Sequence, residues 1–262
     1  MTETEFVDTH CHLNHDAYDA DLADVRARAE AAGVTHLLCI AWDLASSHRA
    51  AELAGGDSGI YAAIGIHPES ADEWGEAAAQ ELTGLYAESA GKVTAYGEIG
   101  LDYHWESVPR ARQQEVFAAQ IAFAGTLSPT LPLIIHTRDA LTDTLAVLRD
   151  AHAPNPVVMH CFTGDVEAAR LCLDAGYYLG IGGVATFKKS EDVRAAVAFA
   201  PLTRLLLETD CPYLAPQFKR GKRNEPSFLP VVAETVAQAK GMTVQGVAQA
   251  TTQTARALFG MS

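Results

Sequence analysis

A chain of 262 residues with 48% hydrophobic and 20% charged side chains has the make-up of a soluble globular protein with a substantial core. Its 19 basic against 33 acidic residues leave a net charge of −14, which argues against a protein that holds duplex nucleic acid by broad phosphate neutralisation. That balance still allows an enzyme that grips one phosphodiester through bound cations, because metal ions can reverse the local field.

The chain reads as strands and helices in alternation. Strands are expected near Phe6–His12, His36–Trp42, Ile60–His67, Val93–Asp102, Pro132–Arg138, Pro156–Phe162, Tyr177–Gly183 and Leu205–Cys211. Runs such as Leu133–Ile135 and Leu205–Leu207 are apolar throughout, as in parallel sheets covered on both faces. Helical spacing and stop signals predict helices over Asp21–Ala32, Pro109–Ala124, Asp165–Ala175, Pro226–Lys240 and Thr243–Phe259. Eight strand–helix repeats in a chain of this length have the rhythm of an α/β (β/α)₈ TIM barrel, and one domain over residues 1–262 is expected. A doubly wound open sheet would carry a glycine-rich phosphate loop after the first strand, and His10-Cys11-His12 stands there instead.

Five scattered cysteines without a C-x-x-C pair suggest neither a zinc ribbon nor a disulfide framework, and suit a reducing cytoplasm. The acidic start, Met1–Phe6, lacks the basic head and apolar core of a signal peptide. No apolar run approaches the roughly 20 residues that span a bilayer, so no membrane association is expected.

Polar residues interrupt the apolar strands at their C-terminal ends. His10 and His12 close the first strand two residues apart, so both imidazoles share a side. Glu98, His136, His160 and Asp210 end four further strands. In a barrel these ends converge on the active face, and unpaired charges at buried strand ends are costly. Four imidazoles and two carboxylates form an N/O donor set suited to Zn, Mn, Fe, Co or Ni, with Mg also open. Six ligands exceed what one open catalytic ion takes from protein, whereas two divalent ions sharing Glu98 as a bridge would use them all.

The motifs Val7–His12, Gly65-Ile66-His67-Pro68, Gly97–Tyr103, Leu133–Arg138, His160–Gly164, Leu207–Tyr213 and Arg223-Asn224-Glu225-Pro226 follow one another in order. As a set they resemble the TatD family of metal-dependent deoxyribonucleases, within the amidohydrolase-like superfamily. The resemblance implies a TIM barrel and phosphodiester hydrolysis, often as an exonuclease acting from the 3′ end. It implies one metal at His10, His12, Glu98 and Asp210 and a second at Glu98, His136 and His160. His67 is expected as a substrate contact, although Glu69 stands where the family often has a second histidine after the proline.

Asp210 is expected to be ligand and general base, with Glu98 beside it in catalysis. Glu208 should share its strand face, in a metal-site or a structural role. Arg138, Arg223 and Asn224 are expected substrate contacts, within basic loops that also hold Lys188, Lys189, Lys219, Arg220 and Lys222. The expected substrate is DNA with single-stranded or frayed ends, without an obligate protein partner. An amide or ester hydrolase, such as a D-aminoacyl-tRNA deacylase, and a non-catalytic metal-binding protein are the alternatives, since the fold alone does not choose.

Overall fold

In a computed structural model the described residues are 4–105, 107–128, 130–152 and 154–262, so the Met1–Glu3 part of the acidic start lies outside them. The elements run β1 (Phe6–Cys11), α1 (Leu22–Ala31), β2 (Val34–Ile40), α2 (Leu44–Gly56), β3 (Ile60–Ile64), α3 (Glu76–Glu88), β4 (Val93–Asp102) and α4 (Arg110–Leu127). They continue with β5 (Leu133–Arg138), α5 (Leu141–Asp150), β6 (Val157–Met159), α6 (Val166–Asp174), β7 (Tyr178–Ile181), α7 (Glu191–Phe199), β8 (Leu205–Leu207), α8 (Leu229–Lys240) and α9 (Val244–Phe259). The expected strand–helix alternation is present throughout.

The chain forms two compact units, one of Met1–Cys39 with Cys161–Ser262 and one of Ile40–His160. In the first, β1 pairs in parallel with β2 and β7 with β8, and Cys11 bridges to Cys211 beyond β8. In the second, β3, β4, β5 and β6 pair in succession, all parallel. β1 and β3 are buried along their whole length, as are the three residues of β6 and of β8. Strands sheltered on both faces need continuous apolar sequence, and these segments carry it. Helix starts are set locally: Asp43 and Ser46 form a capping box on α2, and the Asp165 and Thr243 side chains accept from the first turns of α6 and α9.

Several strands stop earlier than the apolar pattern predicts. β3 ends at Ile64, β6 at Met159 and β8 at Leu207, so His67, His160 and Asp210 lie just beyond the ladder. The backbone turns sharply there, with φ of 46° at Cys161 and 55° at Asp210. Non-glycine residues in this region carry strain and gather at functional sites.

In the second unit α4 reaches inward with amides rather than apolar groups alone. Gln120 Nε2 donates to Ile66 O at 2.8 Å, and its Oε1 accepts from Ile66 N and Tyr96 Oη, each at 3.0 Å. This clamp fixes the chain immediately before His67. Gln120→Leu keeps the volume but strands three buried polar groups, each worth about 1–3 kcal/mol when unsatisfied. A loss of ~3 kcal/mol or more in urea unfolding is expected.

Candidate metal sites

In the first unit, His10 and His12 leave β1 with their Nε2 atoms 3.2 Å apart. Asp210 Oδ1 lies 3.3 Å from His12 Nε2 and 3.7 Å from His10 Nε2. The backbone holds this group together, with Asp210 N donating to His10 O and His12 N to Cys211 O, both at 2.8 Å. Beneath it Asp8 accepts from Thr209 Oγ1 at 2.6 Å, Thr209 N at 3.0 Å and His10 N at 3.3 Å. Burial pushes Asp8 up to about 7 against the pull of those hydrogen bonds.

The second unit carries a matching group. Glu98 Oε1 lies 2.6 Å from His160 Nε2, 2.7 Å from His136 Nδ1 and 3.8 Å from His67 Nε2. His136 Nδ1 and His160 Nε2 are 3.2 Å apart. A bulge aims Glu98: Tyr96 faces Leu133 and Ile99 faces Ile135, so β4 carries one extra residue here. Gly97 and Gly100, at φ of 147° and 143°, flank it, and a Cβ on either would stand 2.6 Å from Ile134 O or 2.0 Å from His136 O. Only glycine lets β4 pass so close to β5.

The far side of His136 is also engaged. Its Nε2 lies 3.0 Å from Asp102 Oδ2, while Asp102 Oδ1 accepts from His104 N and Trp105 N at 2.8 and 3.2 Å. Burial works against charge on His136, but hydrogen bonds to Asp102 and Glu98 outweigh it and hold its pKa at about 9. Burial likewise opposes the Asp102 carboxylate, and its hydrogen bond to His136 and the two backbone N–H groups hold it down at about 2. Burial and the neighbouring charge on His136 push His67 down to about 3. His67 Nδ1 accepts from Glu69 N at 3.2 Å, which leaves Nε2 to carry the proton and face Glu98.

Both groups fit a divalent cation by the chemistry of their donors. In each, two imidazole nitrogens face one another across 3.2 Å with a carboxylate oxygen alongside, in buried or nearly buried surroundings. Two such nitrogens cannot both point a proton at each other, whereas their lone pairs can share a positive ion. His67, Glu98 and His136 offer ligand atoms within 4.8 Å of one another.

The remaining expected residues are placed differently. Arg138, exposed at the end of β5, stacks over Trp105 at 5.6 Å. Arg223 is bound to Asp21 through both guanidinium nitrogens at 2.8 and 2.6 Å, donates to Ala17 O and lies over the Tyr18 ring. Asn224, fully buried, donates to Thr209 O and Tyr213 O at 2.8 Å each and so closes the loop that follows β8. Glu208 accepts from Cys161 N at 2.5 Å and fills the space that a side chain on residue 180 would need. Asp102 is the residue that sequence reasoning passed over, although Glu98-x-Gly100-x-Asp102 puts it on the Glu98 side of β4 by strand alternation.

Comparison with known proteins places this site chemistry in one class, metal-dependent hydrolases. The TatD related DNase family matches residues 7–260. The Bacillus subtilis (strain 168) protein described as the uncharacterized metal-dependent hydrolase YabD is 44% identical over 253 residues, covering 96% of this chain and 98% of that one. The Klebsiella pneumoniae (strain 342) 3′-5′ ssDNA/RNA exonuclease TatD is 35% identical over 256 residues, covering 95% and 96%. The crystal structure of YJJV, a TatD homologue from Escherichia coli K12, matches with a TM-score of 0.92 at 29% identity over 99% of each chain. The chain belongs to the TatD related DNase family. The (β/α)₈ TIM-barrel fold and the metal-dependent hydrolase acting on phosphodiesters, both expected from the sequence, are borne out.

Two consequences are measurable. A carboxylate behind a ligating histidine fixes its tautomer and raises its basicity, so Asp102→Asn should weaken divalent-ion affinity about 10–100-fold in calorimetric titration. Arg223 holds Asp21 down at about 2, below the roughly 3.9 of a free side chain. A depressed carboxylate contributes stability above its unfolded pKa, and that stability is lost as pH falls through the folded value. Arg223→Ala should therefore lower the urea midpoint near neutral pH, with the deficit shrinking between pH 4 and 2. A residue serving substrate alone would leave the midpoint unchanged.

Proposed function

We propose that residues 1–262 act as one hydrolase domain, a 3′-5′ deoxyribonuclease working on single-stranded or frayed DNA ends with two divalent ions per subunit. The observation that carries this reading is the pair of three-ligand groups, His10–His12–Asp210 and Glu98–His136–His160, each with a buried carboxylate between imidazoles. Six donors are too many for one open ion, and family membership supports Glu98 as the carboxylate shared by two. Zn, Mn, Mg, Fe, Co and Ni all suit the donor set, the imidazoles favouring the transition metals.

When bound, the ions supply Lewis-acid stabilisation of the attacking and leaving oxygens and make a hydroxide nucleophile available near neutral pH. The side chains do the rest. Asp210 takes up the proton given up by the attacking water, at the carboxylate edge facing His12. Glu98 holds His136 and His160 in register, and Asp102 keeps His136 Nδ1 turned toward that group. His67, held by Glu69 N at Nδ1, lines the site beside Glu98 as a substrate contact. Arg138 supplies charge to the phosphate from the end of β5. Arg223 and Asn224 serve the substrate indirectly, by holding the loop after β8 in shape.

The printed activity of the Klebsiella relative supports a single-stranded substrate and the 3′-5′ direction. The free thiols of all five cysteines fit the reducing cytoplasm expected for the protein. Among the described residues no helix is long and apolar enough to cross a membrane.

The test is hydrolysis of end-labelled single- and double-stranded DNA, with and without chelator. Chelation should abolish activity and added divalent ion restore it. Glu98→Ala and Asp210→Ala should each cost more than the ~100-fold typical of a lost partner behind a ligand. Nuclease activity surviving in both variants would overturn the reading.

A further inference from the structure

The loops after β7 and β8 concentrate basic residues. Residues 182–190 and 211–224 contain no aspartate or glutamate, in a chain with 33 of them, yet hold six of its 19 lysines and arginines. Arg223 is consumed by Asp21, whereas Lys188, Lys189, Lys219, Arg220 and Lys222 are exposed. Among them stand three exposed large apolar side chains, Tyr213 at 52%, Leu214 at 40% and Phe218 at 55%. A single exposed hydrophobe needs no explanation, but three within six residues of one cationic loop do.

The two loops are stitched into one surface. Gln217 N donates to Thr186 Oγ1 at 2.8 Å, and Lys188 N donates to Gln217 Oε1 at 3.3 Å. Arg220 lies over the Phe187 ring at 4.7 Å, and Phe218 stands edge-on to Phe228 at 5.1 Å. The surface begins at the metal ligands, where the Tyr213 ring is edge-on to His12 with centroids 6.0 Å apart. Asn224 pins the Tyr213 carbonyl from below, so the loop presents its side chains already ordered.

We infer that this surface is a stacking platform for single-stranded nucleic acid, with Phe218 taking a base face and Lys188, Lys189, Lys219, Arg220 and Lys222 taking the phosphates that lead away from the cleaved bond. The inference rests on the phosphodiesterase reading above. Aromatic faces interleaved with cations bind unpaired bases irrespective of sequence, and duplex ends keep those faces hidden in the stack. A partner protein would match an apolar patch as well, but five exposed cations in segments that contain no aspartate or glutamate favour a polyanion.

The experiment compares kcat/KM on a short single-stranded oligonucleotide with that on the same oligonucleotide made abasic near its 3′ end. For the wild-type enzyme the intact strand should be the better substrate. Phe218→Ala should lower kcat/KM on the intact strand about 5- to 100-fold, the equivalent of roughly 1–3 kcal/mol for one stacked base, and bring the intact-to-abasic ratio toward one. Phe218→Leu, which keeps apolar packing on Phe228 but lacks an aromatic face, should behave like Phe218→Ala, and Phe218→Trp should restore the ratio. A wild-type ratio in Phe218→Leu, or a change of less than twofold in Phe218→Ala, overturns the platform while leaving the nuclease intact. Wild-type enzyme that cleaves neither strand with metal supplied overturns the phosphodiesterase reading and the platform with it.

Discussion

The Glu98 carboxylate is the interaction around which the second unit is arranged. It is 4% exposed, and an ionised carboxylate so placed needs compensation of several kcal/mol. Two imidazoles within 2.7 Å and a third at 3.8 Å provide it, and each comes from the end of a different strand. That demand explains the local backbone: the bulge in β4 turns Glu98 toward β5, and glycines at 97 and 100 remove the side chains that would keep β5 away. It also explains Asp102. Its carboxylate holds the far side of the His136 ring at 3.0 Å, so that Nδ1 faces Glu98 at 2.7 Å. The first unit meets a similar demand differently. There Asp8 lies under His10 and Thr209 and stiffens the backbone that brings Asp210 to His10 and His12.

The alternation of elements was legible because buried parallel strands must be apolar and their sheltering helices amphipathic. The candidate ligands were legible for the same reason: a histidine or carboxylate that ends an apolar run is an expensive residue in an unusual place. What the pattern does not carry is where hydrogen bonding stops. Pro156–Phe162 and Leu205–Cys211 read as strands throughout, yet each ladder spans three residues before the backbone turns. The turns at Cys161 and Asp210 depend on contacts remote in sequence, such as Glu208 accepting from Cys161 N. Arg223 shows the same limit. Its place in a basic loop suggested a phosphate contact, but Asp21, distant along the chain, takes both guanidinium arms. A side chain's partner across the fold is tertiary information. Asp102 was different, since its spacing from Glu98 was visible and only its relation to His136 was not.

A chain of net charge −14 proposed to act on a polyanion poses an electrostatic question, and the distribution of charge bears on it. Interactions between exposed charges fade over a Debye length of about 8 Å at physiological ionic strength. Acidic residues farther than this from the loops would therefore act weakly on a strand end bound as proposed, and the loop cations more strongly. The charged residues of segments 182–190 and 211–224 are all cations, and the Asp210 and Glu98 carboxylates lie against imidazoles. The repulsive field of the body would oppose long duplexes laid across the surface far more than a single strand end entering at the loops. A cationic segment in an otherwise acidic chain would favour a strand end over a long duplex, in keeping with the proposed exonuclease activity.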